Sequence, residues 1–239
     1  MLEDILRESL PLDERALGRF RRYYELLTEW NKVMNLTAIS GEEDTARLHF
    51  LDCAALAGLT ELRGKRVIDV GTGAGFPGLV LKILCPETEL VLLDSLEKRV
   101  RFLKSVCAEL GFDDVLCLHA RAEEAPPRLR ESFDLACSRA VARLNLLAEL
   151  CLPFVKTGGL FAAMKGPAGP CCCAAKPLFL SSCARRLHSN SFSSSSAVAA
   201  SSVAPAASSC SRLRKPQLTA MQAMPAFFAV ARSTSVSPT

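Results

Sequence analysis

Residues 67–78 read Val-Ile-Asp-Val-Gly-Thr-Gly-Ala-Gly-Phe-Pro-Gly, and this stretch decides the fold. The aliphatic residues before the first glycine suit a strand that is covered on both faces of a sheet. Gly71, Gly73 and Gly75 allow a tight turn and the close approach of a ligand to the backbone. Pro77 suits the first turn of a helix, whose free N–H groups would point at whatever lies in the turn. The stretch therefore predicts a strand, a glycine loop and a helix that bind a nucleotide-like cofactor.

The spacing of the glycines distinguishes between kinds of cofactor. The dinucleotide fingerprint is G-x-G-x-x-G, whereas Phe76 stands here where the third glycine would be and would block close packing of the helix on the strand. The chain has no G-x-x-x-x-G-K-[ST] motif, so a P-loop is not predicted. With Asp69 in front, the loop reads D-x-G-x-G-x-G, which resembles the first motif of S-adenosylmethionine-dependent methyltransferases. Taken alone, the loop also fits an ordinary strand-to-helix turn.

A second acidic residue ends the next predicted strand. Residues 89–94 read as that strand, and Asp94 lies roughly 20 residues after the loop, where a carboxylate can accept hydrogen bonds from ribose hydroxyls. Ser95 is predicted to cap the following helix, and Gly111 to end it. The alternative is that Asp94 is a surface carboxylate near a helix start.

Further predicted strands complete an alternation of strands and helices. The third begins at Val115 and runs into a polar turn, and two more cover residues 133–140 and 158–166, with a helix at 144–154 between them. Such an alternation implies a parallel sheet with helices on both faces. The predicted fold class is therefore α/β, with a Rossmann-like core over residues 61–167.

Residues 1–60 are predicted to form a helical extension in front of this core. Asp13 can cap a helix with a continuous apolar stripe. The stripe consists of Leu17, Phe20, Tyr24, Leu27 and Val33. The polar face carries Arg15, Arg19, Arg21 and Arg22. These arginines fit contacts with phosphates and fit a solvated basic face equally well.

Residues at the end of this helix and after it are candidates for the site. Asn35 and Thr37 are expected to end the helix and can face the cofactor pocket. Trp30 is interpreted as a core residue rather than a platform for base stacking. His49 lies in a second amphipathic segment, 42–57, where a packed structural role and a functional role both remain open.

Short motifs along residues 1–167 together resemble those of a known family. They lie at residues 30–37, 47–53, 69–78, 93–99, 138–140 and 164–166. The family is that of the bacterial small-subunit ribosomal RNA guanine-N7 methyltransferases, also called glucose-inhibited division protein B. The resemblance implies a class I S-adenosylmethionine-dependent enzyme, cytoplasmic and monomeric. It would methylate N7 of one guanine in 16S ribosomal RNA, free or within a small-subunit assembly intermediate.

The resemblance also implies which residues bind S-adenosylmethionine. They are Gly71, Gly73, Phe76, Asp94, Ala122, Glu123 and Arg139. Among them Asp94 would bind the ribose, and Ala122 and Glu123 would flank the adenine. Arg139 would also orient the target base or its phosphates and is the candidate catalytic residue. Arg121 and Lys165 are weaker candidates for that role, and no metal site is predicted.

Methylation at guanine N7 needs little chemistry from the protein. N7 is a lone-pair nucleophile with no proton to lose, and the sulfonium is already activated, so positioning and electrostatics should provide most of the rate. No catalytic cysteine is required, unlike methylation of cytosine C5. Six cysteines in apolar runs are interpreted as core residues of a reduced protein. They are Cys53, Cys85, Cys107, Cys117, Cys137 and Cys151.

Two other functions stay open from the sequence. One is a non-catalytic module that binds RNA or the cofactor, and the other is a methyltransferase for a small molecule or a protein. A membrane partner is not expected, because no apolar run reaches the roughly 20 residues that a span needs. A signal peptide is not expected either, since Glu3 and Asp4 enter early and no uninterrupted apolar core follows.

Residues 168–239 differ in composition from the rest of the chain. They are rich in Ser, Ala and Pro and hold seven of the 29 lysines and arginines but none of the 25 acids, so the first 167 residues carry a net charge of −3. A basic RNA-binding tail, a disordered linker and translation out of frame all fit this composition. Only residues 226–230 read as a strand. We therefore expect the closing strands of the sheet to be missing or replaced, with the fifth strand left as an apolar edge and with reduced stability and activity.

Our preferred hypothesis for the tail is a change of reading frame near Gly166. It predicts that the coding DNA, shifted by one base after this point, encodes a C-terminus like that of the family. Sequencing the gene around codon 166 and translating the other frames checks this. The absence of any such frame would contradict the hypothesis.

Overall fold

The computed structural model describes residues 1–139, 142–165, 196–201 and 227–235, and it shows an α/β fold built on one sheet. The strands are β1 (Arg66–Val70), β2 (Glu89–Asp94), β3 (Leu116–His119), β4 (Phe133–Arg139), β5 (Val155–Lys165), β6 (Ser196–Ser201) and β7 (Phe227–Ser235). Their order across the sheet is β3-β2-β1-β4-β5-β7-β6. Strands β1 to β5 are parallel, and β7 is antiparallel to β5 and β6. The predicted Rossmann-like α/β core is confirmed.

The helices lie before the sheet and between its strands. They are α1 (Leu2–Ser9), α2 (Glu14–Met34), α3 (Glu42–Thr45), α4 (Asp52–Ala57), α5 (Gly78–Leu84), α6 (Glu97–Leu110) and α7 (Leu144–Cys151). A π-helical segment, Ala46–Leu51, joins α3 to α4, and 3₁₀ turns cover Ala122–Glu124, Pro127–Leu129 and Leu152–Phe154. The helix predicted over 144–154 therefore ends at Cys151 and continues as a 3₁₀ turn. Within the described part of the chain, no helix is both long enough and apolar enough to cross a membrane.

The sheet separates two apolar cores, because its strands bury side chains on both faces. Along β1, Val67 belongs to one core, while Ile68 and Val70 belong to the other. The first core also holds the buried faces of α2, α5 and α6, and the second holds that of α7. Five of the six predicted core cysteines are buried and Cys85 is half-buried, and all six are free thiols. Their interpretation as core residues is confirmed.

Helix α2 packs the N-terminal extension onto the sheet. Asp13 Oδ1 accepts a hydrogen bond from Ala16 N at 2.7 Å, which confirms the predicted cap. The apolar stripe differs from the prediction, because Tyr23 is fully buried whereas Val33 is 84% exposed. Steps of three and four residues join Phe20 to Leu27 through either Tyr23 or Tyr24, so the spacing alone does not choose between the two tyrosines, whereas Val33 lies on another face. Tyr24 is half-buried beside this core.

Three of the four arginines on the polar face of α2, Arg19, Arg21 and Arg22, have partners within the protein. Arg21 pairs with Glu3 and Glu25, which joins α2 to α1. Arg22 pairs with Glu25 and Glu109, which joins it to α6. These contacts favour the structural interpretation of this face. Because the pairs are exposed, each contributes little to stability.

Two strands of the tail cover the edge that was expected to be open. Strand β7 pairs with β5 so that Leu160 lies opposite Arg232 and Lys165 opposite Phe227. The expectation of an apolar edge at β5 is therefore wrong, and β6 was not predicted. The predicted strand at 226–230 corresponds to β7, while most of the tail lies outside the described residues.

Replacement of Tyr23 by Phe tests how the extension supports the glycine loop. The Tyr23 hydroxyl donates to the buried Ala74 carbonyl at 2.5 Å, so its loss leaves that acceptor without this donor. We expect the free energy of unfolding to fall by about 1–2 kcal/mol, measured by urea denaturation. Tyr24→Phe is the matched control, with an expected change below about 0.5 kcal/mol. Equal losses in the two variants would contradict this role of Tyr23.

A candidate cofactor site at the switch point of the sheet

The strand order reverses between β1 and β4, and this places a crevice at their carboxyl ends. Ligands of open α/β sheets bind at such switch points. The glycine loop follows β1 there, Asp94 ends the neighbouring strand β2, and Arg139 ends β4. The fold thus brings residues from three separate parts of the chain to one edge of the sheet.

The glycine loop has the backbone conformation that its sequence predicts. Gly71, Gly73 and Gly75 have φ values of 69°, 60° and 99°, in the left-handed region that favours glycine. The N–H groups of Gly71 and Thr72 donate to the Leu93 carbonyl at 2.8 and 3.2 Å. These bonds fix the start of the loop to the end of β2.

Gly78 provides the close helix–strand packing that the dinucleotide motif would obtain from its third glycine. A Cβ at Gly78 would lie 2.5 Å from Leu92 Cδ2 and 2.9 Å from Asp69 Oδ2. A larger residue would require the side chains of Leu92 and Asp69 or the helix α5 to shift. Phe76 therefore does not prevent close packing, which occurs two residues later. The sequence shows this glycine directly after Pro77, but its packing role becomes apparent only once the position of β2 is known.

Asp69 ties the strand, the loop and the helix together. Its Oδ2 accepts hydrogen bonds from Thr72 Oγ1 at 2.7 Å and from Gly78 N at 2.8 Å. The first N–H of α5 is thus used by Asp69 and is not free for a ligand, which corrects the expectation for this helix start. Asp69 Oδ1 is buried and has no hydrogen-bond partner among the described residues. Burial raises the pKa of Asp69 to about 6, although both hydrogen bonds and the charge of Arg139 oppose that rise.

Asp94 holds the loop from the side of β2. The residue is 2% exposed, and its Oδ2 accepts a hydrogen bond from Gly73 N at 2.9 Å. Its Oδ1 accepts another from Leu96 N at 2.9 Å. The cap predicted at Ser95 was wrong, because α6 begins at Glu97 after Leu96 and no side chain of the described residues caps it. Each carboxylate oxygen has a further lone pair for a ligand hydroxyl.

A cavity of about 380 Å³ lies against these groups. Its wall includes five of the seven predicted cofactor-binding residues, Gly71, Gly73, Phe76, Asp94 and Arg139. Leu36 and Thr37 also line it, so the N-terminal extension closes part of the site, as expected for Thr37. Asn35 instead ends α2 with a φ of 48°, in the left-handed conformation of a helix cap.

Ala122 and Glu123 lie at the same edge of the sheet but not on the cavity wall. They form the 3₁₀ turn after β3, whose last residue, His119, is in register with Asp94. Ala120 N donates to the Asp94 carbonyl at 3.1 Å, which brings the start of this turn to β2. Their contact with an adenine stays a prediction.

Arg139 is held in a cluster that the sequence did not predict as a unit. Its guanidinium carbon lies 4.6 Å from the centre of the Phe76 ring, and Nη2 lies 3.0 Å from His49 Nδ1. His49 stacks on the same ring with centroids 4.4 Å apart, and its Nε2 is 2.9 Å from Thr37 Oγ1. Burial and the charge of Arg139 lower the pKa of His49 to about 3. His49 is therefore a neutral, packed residue that contacts three residues of the cavity wall, Thr37, Phe76 and Arg139.

The site has the donors and acceptors for a nucleoside. In the described ranges, no set of three or more His, Cys, Asp or Glu residues is arranged to hold a metal ion. The Cys53 thiol beside Arg139 is fully buried, and burial raises its pKa to about 12, so it is not an available nucleophile. A glycine loop and a strand-end carboxylate on one cavity, in this strand order, are typical of class I S-adenosylmethionine-dependent methyltransferases.

Solved structures share this fold. The crystal structure of P. horikoshii TYW2 in complex with MeSAdo matches with a TM-score of 0.52 at 11% identity, over 79% of this chain and 63% of that one. A putative transferase from Pyrococcus horikoshii matches with a TM-score of 0.53 at 11% identity, over 78% of this chain and 63% of that one. At such low identity these likenesses show the fold alone.

The chain belongs to the GidB family, described as rRNA small subunit methyltransferase G, whose model matches residues 16–170. Curated relatives named ribosomal RNA small subunit methyltransferase G include one from Acetivibrio thermocellus, 48% identical over 160 residues, which are 66% of each chain. Another, from Alkaliphilus metalliredigens, is 50% identical over 171 residues, 70% of this chain and 72% of the relative. The chain thus matches about two thirds of the length of these relatives.

Replacement of Asp69 by Asn tests the buried carboxylate through pH. The pKa of Asp69 is about 6 in the folded chain against an unfolded value of 3.8, so between these values only the folded state holds the proton. The stability of the wild type relative to Asp69→Asn should therefore fall as pH rises from about 4 to about 6, by up to about 3 kcal/mol, and then level off.

Urea denaturation of both proteins at a series of pH values gives this difference. Arg139, Asp94, Thr72 and the Gly78 N–H are the groups that act on Asp69, and all of them are retained in the variant. Stability curves that stay parallel across this range would contradict the raised pKa.

Proposed function

We propose that this chain binds S-adenosylmethionine in the cavity at the ends of β1, β2 and β4 and transfers its methyl group to N7 of a guanine in 16S ribosomal RNA. The observation that carries the proposal is the joint placement of Gly73 and Asp94 on one cavity in a chain of the GidB family. The substrate would be free ribosomal RNA or a small-subunit assembly intermediate, and the protein would act as a cytoplasmic monomer.

The residues present fit the cofactor. The cavity of about 380 Å³ is within the range of about 300–1,000 Å³ that is usual for ligand pockets. Asp94 offers unused lone pairs to a ribose diol. A Cβ added at Gly73 would meet no atom of the described residues within 4 Å, so a ligand can approach this backbone closely. Gly71, Gly73 and Asp94 would hold the nucleoside, while Arg139 would hold an anionic group.

S-adenosylmethionine supplies a methyl group that is already activated, and guanine N7 supplies the lone pair. The protein therefore needs to bring the two groups together and exclude water, and it needs no general base. His49 is not available as one, since it is neutral and its Nδ1 already accepts from Arg139. Methylation of cytosine C5 requires a nucleophilic cysteine, and the buried Cys53 thiol cannot act as one.

The charge of Arg139 limits its role. During transfer a single positive charge passes from the sulfonium to the guanine ring, so a permanent cation beside the reacting atoms would repel both donor and product. An arginine in this place is favourable only when it faces an anion. We therefore assign Arg139 to a carboxylate or phosphate group rather than to the guanine ring itself.

The target guanine has to be accessible at N7. In a double-stranded RNA helix, N7 lies in the deep and narrow major groove, which side chains do not reach. The proposed substrate is therefore a guanine in a loop or one that is turned out of its stack.

The tail is the observation that favours a second candidate function, a non-catalytic remnant that binds the cofactor or RNA. The match to the family model ends at residue 170, and the matched segments cover about two thirds of the length of the relatives. This supports the proposal that residues 168–239 are read out of frame. A chain of this kind would retain the cofactor cavity and lack part of the substrate face.

Asp94→Asn tests the cofactor site. The variant keeps the size of the side chain but removes the charge that would face the ribose, and we expect S-adenosylmethionine to bind about 10-fold more weakly or worse in calorimetric titration. Asp113→Asn, at an exposed acid after α6, is the control with unchanged affinity.

Incubation of the wild type with labelled S-adenosylmethionine and ribosomal RNA that lacks N7-methylguanine tests the reaction. Label on a guanine N7 is expected. Cofactor binding without any label on RNA would favour the non-catalytic candidate, and label on another acceptor would contradict the proposed substrate.

A further inference from the structure

Arg139 fixes the position of the proton on His49. A guanidinium only donates hydrogen bonds, so the contact of 3.0 Å between Arg139 Nη2 and His49 Nδ1 requires Nδ1 to accept. Because the buried imidazole is neutral, its one N–H must then be on Nε2. The Nε2–H points at Thr37 Oγ1, 2.9 Å away, and donates to it.

This arrangement leaves the hydroxyl proton of Thr37 for a ligand. Thr37 Oγ1 also accepts a hydrogen bond from Ile39 N at 3.1 Å. A hydroxyl oxygen has two lone pairs, and these two donors use both. The hydroxyl hydrogen takes no part in either contact, so Thr37 can act towards the cavity only as a donor.

The backbone of Thr37 is held in place from the other side. Asn31 Nδ2 donates to the Thr37 carbonyl at 2.9 Å, and Asn31 Oδ1 accepts from Thr37 N at 2.9 Å. The residue is therefore fixed by α2 on one side and by His49 on the other. A donor that is positioned before the ligand arrives binds it without the entropic cost of ordering.

The cavity wall next to Thr37 carries the positive charge of Arg139. The two arginines on the wall are Arg99, whose Nη1 lies 3.6 Å from Asp94, and Arg139. In the part of the chain that the structure describes, Arg139 forms no ion pair with a carboxylate. Its contacts are His49 Nδ1, the Leu48 carbonyl at 3.4 Å and Cys53 Sγ at 3.6 Å. A cation without a carboxylate on a cavity wall is suited to an anionic group of the ligand.

We propose that Thr37 is a cofactor-binding residue whose hydroxyl, together with Arg139, binds the carboxylate of the methionine part of S-adenosylmethionine, and that His49 is the positioning residue that joins the two. The inference rests on the proposed function. One ligand would then span the cavity, with its ribose at Asp94 and its carboxylate at Thr37 and Arg139. A carboxylate of the same ligand is favoured over an RNA phosphate, because Asp94, Thr37 and Arg139 line one cavity.

Two nucleosides that differ in the amino acid part provide the test. S-adenosylhomocysteine has the carboxylate, and 5′-methylthioadenosine lacks it. In calorimetric titration, Thr37→Val should weaken S-adenosylhomocysteine on the order of 10-fold and leave 5′-methylthioadenosine within about 2-fold of the wild type. Thr37→Ser should restore most of the loss, and Thr28→Val, at an exposed threonine of α2, should change neither affinity.

His49 is tested with the same pair of ligands. His49→Ala should weaken S-adenosylhomocysteine selectively. His49→Gln should recover part of the affinity, since its amide N–H can take the place of the Nε2–H. Thermal unfolding of each variant measures the structural cost separately.

The outcomes distinguish this inference from the proposed function. Equal weakening of both ligands by Thr37→Val would mean that Thr37 only supports the fold, and it would overturn the inference. Unchanged binding of S-adenosylhomocysteine with weaker binding of ribosomal RNA would assign the hydroxyl to a phosphate and would also overturn it. A wild-type chain that binds neither nucleoside nor S-adenosylmethionine overturns the proposed function itself, and the inference with it.

Discussion

The site depends on the carboxylate of Asp69, which is buried at the end of β1. Its Oδ2 accepts from Thr72 Oγ1 and from the Gly78 N–H, so one oxygen atom holds both ends of the glycine loop. This geometry exists only because α5 comes so close to the sheet that a Cβ at Gly78 would lie 2.9 Å from the same oxygen. Asp94 then holds the middle of the loop through Gly73 N. The two acids therefore fix the backbone of the loop before any ligand is present.

Phe76 has a structural role that complements these polar contacts. Its ring lies 5.4 Å from that of Tyr23 and 6.0 Å from that of Phe50, which both belong to the N-terminal extension. On the same ring lie the imidazole of His49 and the guanidinium of Arg139. Phe76, which argued against a dinucleotide fingerprint, is thus the residue that the N-terminal extension, the glycine loop and β4 all contact.

Much of the fold and part of the site could be predicted from local sequence. The strands, the left-handed glycines and the place of Asp94 follow from short patterns that do not need distant residues. The choice of Tyr23 over Tyr24 and the packing role of Gly78 were missed, because each depends on a neighbour from another element. The contact of His49 with Arg139 joins residues 90 positions apart, and no spacing in the sequence indicates it. For the same reason β6 and the covered edge of β5 were not expected.

The position of Thr37 has a consequence for how the chain responds to its ligand. The cavity is shared between the predicted extension, 1–60, and the predicted core, 61–167, so the core alone does not contain a complete site. A ligand that contacts both parts binds more tightly when the two parts are docked. By thermodynamic linkage, the bound ligand then stabilises the docking by the same free energy that docking adds to its binding. The cofactor would thereby act as a removable crosslink between α2 and the sheet. The exchange rates of the α2 amide hydrogens would therefore respond to the bound cofactor, although α2 is not part of the glycine loop.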